Sequence, residues 1–444
     1  MCVEDGNKPF AMRAIPHVCA VKEHCLTTST FESLGLSEPL LRALSAENYT
    51  QPTPIQTRAI PALLNGRDLL GIAQTGTGKT AAFGLPLLQK LAQDRVRPAP
   101  KSCRALILAP TRELAVQIEQ SLRTYGRHLG LKQAVILGGV NQNSQVNAMR
   151  NGVDILVATP GRLLDLVKQH HVRLDGAHYL VLDEADRMFD MGFIKDVRRI
   201  VAMLPKDRQS MLFSATMPRE VVELIGDVLY QYERVEVSPP TVTADRIEQR
   251  VIPIEQRNKR ALLTHLLADP AMSRVIVFTR TKHVANRVAE HLEKAGVVSD
   301  AIHGNKSQNA RQRALDGFKA GRVRVLVATD IAARGVDVDS VSHVINFELP
   351  NDAESYVHRI GRTARAGAEG IAISFCDPSE KTFLRDIERL VKRQLPVTPH
   401  DLPAEALQPV NIHEERRNYK PEGRNYKNPK KRWSPRGGPR RKAA

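Results

Sequence analysis

A chain of 444 residues with 42% apolar side chains has room for two or three domains of about 150 residues, each with a full core. Its net charge of +17 asks for a polyanionic partner, and about half of that excess lies from Asn411 onward, where 12 Lys/Arg face 3 Glu. Five scattered cysteines argue against a disulfide framework, no apolar run reaches the ~18 residues of a membrane span, and the N-terminus lacks a signal-peptide core; a soluble, cytoplasmic protein without a membrane partner is expected.

Taken in order, residues 1–28 show neither helical nor strand periodicity and read as a poorly ordered extension. His17, Cys19, His24 and Cys25 cluster there at a spacing that fits no standard zinc finger. A first domain is expected over 29–234. It opens with Phe31 and a helical pattern at 37–47, with Ser37 as N-cap. Next, Tyr49-Thr-Gln-Pro-Thr-Pro-Ile-Gln56 uses its prolines to set a turn before a second helix. A short apolar strand at 68–73 then runs into Ala73-Gln74-Thr75-Gly76-Thr77-Gly78-Lys79-Thr80, and a helix with an apolar face follows.

Strand, glycine-rich turn ending in Gly-Lys-Thr, then helix is the context of a phosphate-binding loop. Backbone N–H groups and the helix N-terminus face the phosphates, Lys79 reaches the outer ones, and the Thr80 hydroxyl sits near Mg²⁺. Ala73 stands where the general motif has glycine, but Gly76 and Gly78 keep permissive backbone within the loop.

Continuous apolar runs follow at 105–109, 155–158, 179–182 and 211–213, with helical stretches such as 113–129 and 161–168 between them. Runs apolar on both faces suit the buried strands of a parallel sheet covered by helices. Asp183-Glu184-Ala185-Asp186 directly follows one such run, at the strand end where open α/β sheets bind ligands. Asp183 is placed to hold Mg²⁺, and Glu184 to position or deprotonate an attacking water. Ser214-Ala215-Thr216 follows another run, where its hydroxyls can bond Asp186 and report the state of the site.

A weakly periodic stretch at 235–252 reads as the interdomain linker, and the α/β pattern restarts over 253–396. Strands are expected at 275–278, 297–301, 323–328, 343–347 and 370–375, with no Gly-Lys-Thr after the first of them. His358-Arg359-Ile360-Gly361-Arg362-Thr363-Ala364-Arg365 places basic residues three apart on one helical face, to grip phosphates or to reach a γ-phosphate as arginine fingers. A closing helix at 379–394 sets Phe383, Ile387, Leu390 and Val391 on one face. The rest, 397–444, reads as a basic flexible tail. Within it Tyr419, Tyr426 and Trp433 recur every seven residues amid Lys and Arg, either to stack on bases or simply as part of a solvated charge run.

The ordered set of these motifs resembles the DEAD-box ATP-dependent RNA helicases, over about residues 30–395. It comprises Phe31 with Tyr49–Gln56, Ala73–Thr80, Pro110-Thr-Arg-Glu-Leu-Ala115, Gly138-Gly139, Thr159-Pro-Gly-Arg162, Asp183–Asp186, Ser214–Thr216, Val277-Phe-Thr279, Gln308-Asn-Ala-Arg311, Thr329–Asp337 and His358–Arg365. The resemblance implies two tandem RecA-like domains, ATP and Mg²⁺ as cofactors, and RNA as partner with little sequence preference. It also implies Gln56 reading the adenine edge, with Tyr49 or Phe31 nearby, and nucleotide contacts from Gly335 and Asp337. Catalysis would fall to Lys79, Asp183, Glu184, Arg362 and Arg365, and coupling to Asp186, Ser214, Thr216 and His358. Arg112, Gly139, Thr159, Arg162, Arg311 and Thr329 would line the RNA track. Short flanks and a basic tail are similar to the bacterial RhlE-type subgroup, with ribosome-assembly or RNA-decay proteins as candidate partners. A DNA-directed translocase would share the ATP site, and a non-catalytic RNA clamp would need that site damaged.

Overall fold

The computed structural model describes residues 30–407, apart from 75, 95, 238–246, 334–340 and 365–369. Seven parallel strands form the first sheet: β1 Leu69–Ile72, β2 Cys103–Leu108, β3 Gln133–Ile136, β4 Val153–Ala158, β5 Tyr179–Leu182, β6 Gln209–Ser214 and β7 Glu233–Glu236. Their order is β3-β4-β2-β5-β6-β1-β7. Helices cover both faces, because neighbouring residues of each strand feed opposite cores. Leu69, Ile107, Val157, Val181 and Phe213 pack on one side, while Leu70, Leu108, Leu156, Leu182 and Leu212 pack on the other.

The second sheet has six parallel strands: β8 Ile247–Pro253, β9 Val275–Thr279, β10 Ser299–Ile302, β11 Val325–Thr329, β12 His343–Asn346 and β13 Gly370–Cys376. Their order is β10-β11-β9-β12-β13-β8. With β7 set aside, the two sheets repeat one arrangement, strand for strand. Among the described residues no helix is long and apolar enough to cross a membrane.

Three strands have no counterpart among the expected runs, and all three lie at sheet edges. β3 buries only alternate residues, β7 buries Val235 alone, and β8 mixes Glu, Gln and Arg with Ile and Val. An edge strand has one flank open to water and so lacks a continuous apolar run.

Two of these edges also redraw the chain's divisions. The stretch 235–252, expected as linker, contributes to β7 at one end and β8 at the other. At the far boundary, the chain after Pro396 continues along β8, with Thr398 N–H donating to the Val251 carbonyl at 2.9 Å. Leu402 is then buried among Leu262, Leu263 and Phe375, so residues 397–407 pack on the second domain. The closing helix, Lys381–Val391, buries Ile387 and half-buries Phe383, Leu384 and Val391. Leu390 lies off that stripe, exposed.

Candidate active site and nucleic-acid interface

All strands being parallel, every strand of the first sheet ends on one rim. The loops after β1, β5 and β6 carry one group of expected site residues, and those after β2, β3 and β4 the other.

The helix Lys79–Gln93 starts at Gly78, which has φ +88 and offers no side-chain cap, so the first N–H groups of the helix stay available to an anion. A Cβ on Gly78 would lie 2.3 Å from Gln56 Nε2, a second reason for glycine there. Gln56 is almost wholly buried. Its Oε1 accepts the Thr53 N–H at 2.9 Å and its Nε2 donates to the Gly78 carbonyl at 3.1 Å. The first bond belongs to a capping box on the helix Pro54–Leu64, so one side chain both caps that helix and braces the loop. Lys79 Nζ donates to the Ala73 carbonyl at 2.9 Å, and Thr77 Oγ1 to the Gln74 carbonyl at 2.8 Å. Gly76 is left-handed, and Thr80 is half-buried in the first helical turn. Phe31 is buried in the core of the domain, while Tyr49 lies edge-on to Tyr125, with ring centroids 6.0 Å apart.

After β5, Asp183 is 2% exposed and its Oδ1 has no hydrogen-bond partner. Burial pushes its carboxyl up to about 7, with Lys79 pulling the other way and Glu184 adding to the rise. Glu184 takes the left-handed conformation at φ 56, and its Oε2 accepts Arg187 Nη1 at 2.6 Å. Asp186 turns toward β6. Its Oδ2 accepts the N–H groups of Ala215 at 3.2 Å and Thr216 at 2.9 Å, and the Thr216 hydroxyl at 3.2 Å. Ser214 Oγ in turn accepts the Asp186 N–H at 3.2 Å. The contact expected between the two motifs is therefore made by both hydroxyls and by two backbone amides.

On the other half of the rim, Arg112 opens the helix Arg112–Tyr125 and lies over Gly139, where a Cβ would come within 2.2 Å of its Nη1. Arg162 Nη1 donates to the Val140 carbonyl at 3.3 Å, and Thr159, just after β4, holds the N-cap position of the helix Pro160–Lys168 without a side-chain capping bond. These four residues follow β2, β3 and β4, on the half of the rim away from the phosphate loop, and two of them, Arg112 and Arg162, carry positive charge.

The second domain meets this rim. Glu113 accepts Gln308 Nε2 at 3.1 Å and pairs with Arg311 at 2.9 Å, all three buried. Arg311, expected on the RNA track, is thus held by a carboxylate of the first domain. In the helix Ala353–Ile360, the Glu354 carboxyl is raised by burial, then by Asp352, and also by Asp190 and Asp186 across the cleft. That helix carries His358, and Arg362 Nε donates to the His358 carbonyl at 3.3 Å just beyond it. Thr329 ends β11, half-buried. Thr75, Gly335, Asp337, Arg365, Tyr419, Tyr426 and Trp433 lie outside the described residues.

Three contacts escape a reading by motif. Glu113 bonds Gln308, 195 positions away, and Arg311 beyond it, which local pattern cannot show. Arg187 follows the acidic motif at helical spacing from Glu184, a signal available in the sequence. Arg359 is buried, with Nε and Nη2 on the Asp330 carboxylate at 2.5 and 2.8 Å and its guanidinium over Phe278. It ties the helix before Arg362 to the turn after Thr329.

Comparison with known proteins agrees with this geometry. Residues 53–224 match the DEAD/DEAH box helicase family model and residues 258–367 the helicase conserved C-terminal domain. The chain is 42% identical over 368 residues to the DEAD-box ATP-dependent RNA helicase CshA of Bacillus subtilis, covering 83% of this chain and 74% of that one. It is 45% identical over 382 residues to the ATP-dependent RNA helicase RhlB of Xanthomonas campestris, covering 84% and 66%. Among solved structures, S. cerevisiae Dbp5 bound to RNA and ADP BeF3 matches with TM-score 0.74 and 34% identity over 84% of this chain and 96% of that one. The DEAD-box helicase Mss116 bound to ssRNA and UDP-BeF matches with TM-score 0.76 and 27% identity over 85% and 81%.

Proposed function

The chain belongs to the DEAD-box family of ATP-dependent RNA helicases, and from that premise we propose how its residues divide the work. It is an RNA-dependent ATPase that separates RNA strands. The observation that carries the assignment of residues is the single rim of the first sheet, with the phosphate loop and Asp183–Asp186 on one half and the Arg112–Gly139–Arg162 strip on the other.

ATP binds with its phosphates over the helix N-terminus at Gly78 and beside Lys79, and Gln56 reads the adenine edge while bracing the loop. Phosphate contacts cannot distinguish bases, so an amide is needed to choose ATP over GTP. Asp183 and Thr80 fit a Mg²⁺ ion, since the buried, unpartnered Asp183 Oδ1 suits a hard cation whose charge would offset that of the transferred phosphate. Glu184 orients the attacking water. Arg362 and Arg365 come from the second domain and complete the site only when the domains meet.

RNA lies along Arg112, Gly139, Thr159 and Arg162, and continues onto the second domain near Arg311 and Thr329. Contacts to phosphates and 2′-hydroxyls give little sequence preference and strong salt dependence. Asp186, bonded to Ser214 and Thr216, links hydrolysis to the shape of the track, and His358 joins that link from the second domain. Closure bends the bound strand so that its pairing partner cannot follow. Roughly ten base-pair steps at ~1.4 kcal/mol hold on the order of 14 kcal/mol, so one closure frees short duplexes and not long ones.

Within the family, the basic composition from Asn411 onward favours the RhlE-type subgroup, although the relatives described above carry the names CshA and RhlB. A ribosome-assembly or RNA-decay partner and a cytoplasmic location fit such a protein. The test is the ATPase rate with and without single-stranded RNA, beside the same sequence as DNA and beside Glu184→Gln. RNA stimulation that DNA does not match, lost in Glu184→Gln, is the expected result; a rate indifferent to RNA overturns the reading.

A further inference from the structure

We propose that Arg187 is a positioning residue for hydrolysis, fixing the Glu184 carboxylate that orients the attacking water; the inference rests on the role given to Glu184 above. Arg187 lies three residues on from Glu184, one turn along the helix Ala185–Asp190, and its Nη1 is 2.6 Å from Glu184 Oε2. Both side chains are at most 5% exposed. Among the described residues Oε1 takes no comparable bond, so the pair holds one oxygen and leaves the other to act.

Among the described residues, charge balance gives Arg187 a task of its own. Asp183 and Glu184 are adjacent buried carboxylates, and two cations act on Asp183, Lys79 from the phosphate loop and, more weakly, Arg187. Arg187 supplies the second positive charge, through a charge-assisted bond that restricts the Glu184 rotamer. Asp186 does not depend on that guanidinium. Its partners are the Ala215 and Thr216 amides, the Thr216 hydroxyl and the Arg187 backbone N–H, all of which survive a change of the Arg187 side chain. Loss of the guanidinium therefore frees Glu184, removes a weaker charge contact with Asp183, and leaves the link to Ser214 and Thr216 in place.

The test uses the full-length protein with saturating single-stranded RNA. Arg187→Met is expected to lower kcat about 10- to 100-fold, the range that follows from misplacing a reacting group by an ångström, with the KM for ATP and the affinity for ADP changed less than about threefold. Arg187→Lys keeps a cation within reach and is expected to recover part of kcat. In a Glu184→Gln background, Arg187→Met should add little, because both changes act on one function. A kcat for Arg187→Met within about twofold of the parent overturns the proposal, as does a loss of ADP affinity in step with kcat, which would mark a structural role. If Glu184→Gln itself keeps RNA-stimulated turnover, it is the role of Glu184 that fails, before Arg187 is reached.

Discussion

The two domains share one strand order, and at the same place in each a lysine opens the helix after the corresponding strand. After β1 this is Lys79, held by the neutral Ala73 carbonyl at 2.9 Å, at the start of a helix with no side-chain cap. After β8 it is Lys259, fully buried, 3.2 Å from Asp377 and in contact with Glu380. The Glu380 carboxylate also takes the Leu349 N–H at 3.1 Å. One lysine is held weakly enough for a phosphate to displace its partner; the other is consumed by two carboxylates of its own domain. A strand rim becomes an anion site only where helix-end donors and a cation are left unsatisfied; the helix opened by Lys259 also has no side-chain cap, but the second domain satisfies its cation internally.

Substitutions at the two lysines should therefore fail in different ways. Lys79→Ala is expected to lower RNA-stimulated ATP turnover by about 10³-fold while leaving the unfolding midpoint nearly unchanged, since it removes a charge that serves the ligand. Equal loss of activity and stability would erase the contrast. Lys259→Met should instead strip the buried Asp377 of its cation and leave Glu380 to Arg280 at 3.5 Å, destabilising the second domain by about 3–5 kcal/mol in denaturant unfolding. A stable Lys259→Met protein would mean that those carboxylates are protonated or rehydrated at no cost.

Acidification should push the domains in opposite directions. Burial lowers His303 and His343 of the second domain from 6.5, so the unfolded chain binds more protons below that pH and the domain loses stability as pH falls through the window. Lys306, Arg311, Lys282 and His283 add to the lowering at His303, and Arg250 at His343. Asp183 is raised to about 7, so the nucleotide-free first domain gains stability as its carboxyl is protonated below that value. Hydrogen exchange corrected for intrinsic rates, compared between about pH 8 and pH 5.5, should show falling protection around β10 and β12 and none lost around β5.

The smallest effect concerns Ala364, between Arg362 and Arg365, which takes φ 55 where an alanine is strained. Ala364→Gly should stabilise the second domain by about 0.5–1 kcal/mol. A destabilised variant would show that the strain is relieved by packing.

Much of this was legible in the residues. Central strands announced themselves as apolar runs because both their faces are covered, and the bonds from Ser214 and Thr216 to Asp186 followed from motifs that end neighbouring strands. Of the four edge strands, β3, β7 and β8 were not legible, for their open flank removes that signal, while β10 was expected at 297–301. Nor was the pairing of Glu113 with Gln308 and Arg311, which needs two domains folded and opposed. Lys259 looks like any helical lysine in sequence; only its burial against β13's outgoing turn gives it a role.

By itself the sequence determined the α/β class, the order of motifs and the chemistry each residue can perform, because side-chain type and local spacing set those. The tertiary structure decided which of those chemistries are exposed to a ligand. Lys79 and Lys259 occupy equivalent places, and Arg112 and Arg311 carry the same guanidinium. What separates them is which carboxylate the folded chain brings within reach, and that is fixed by contacts far apart in sequence.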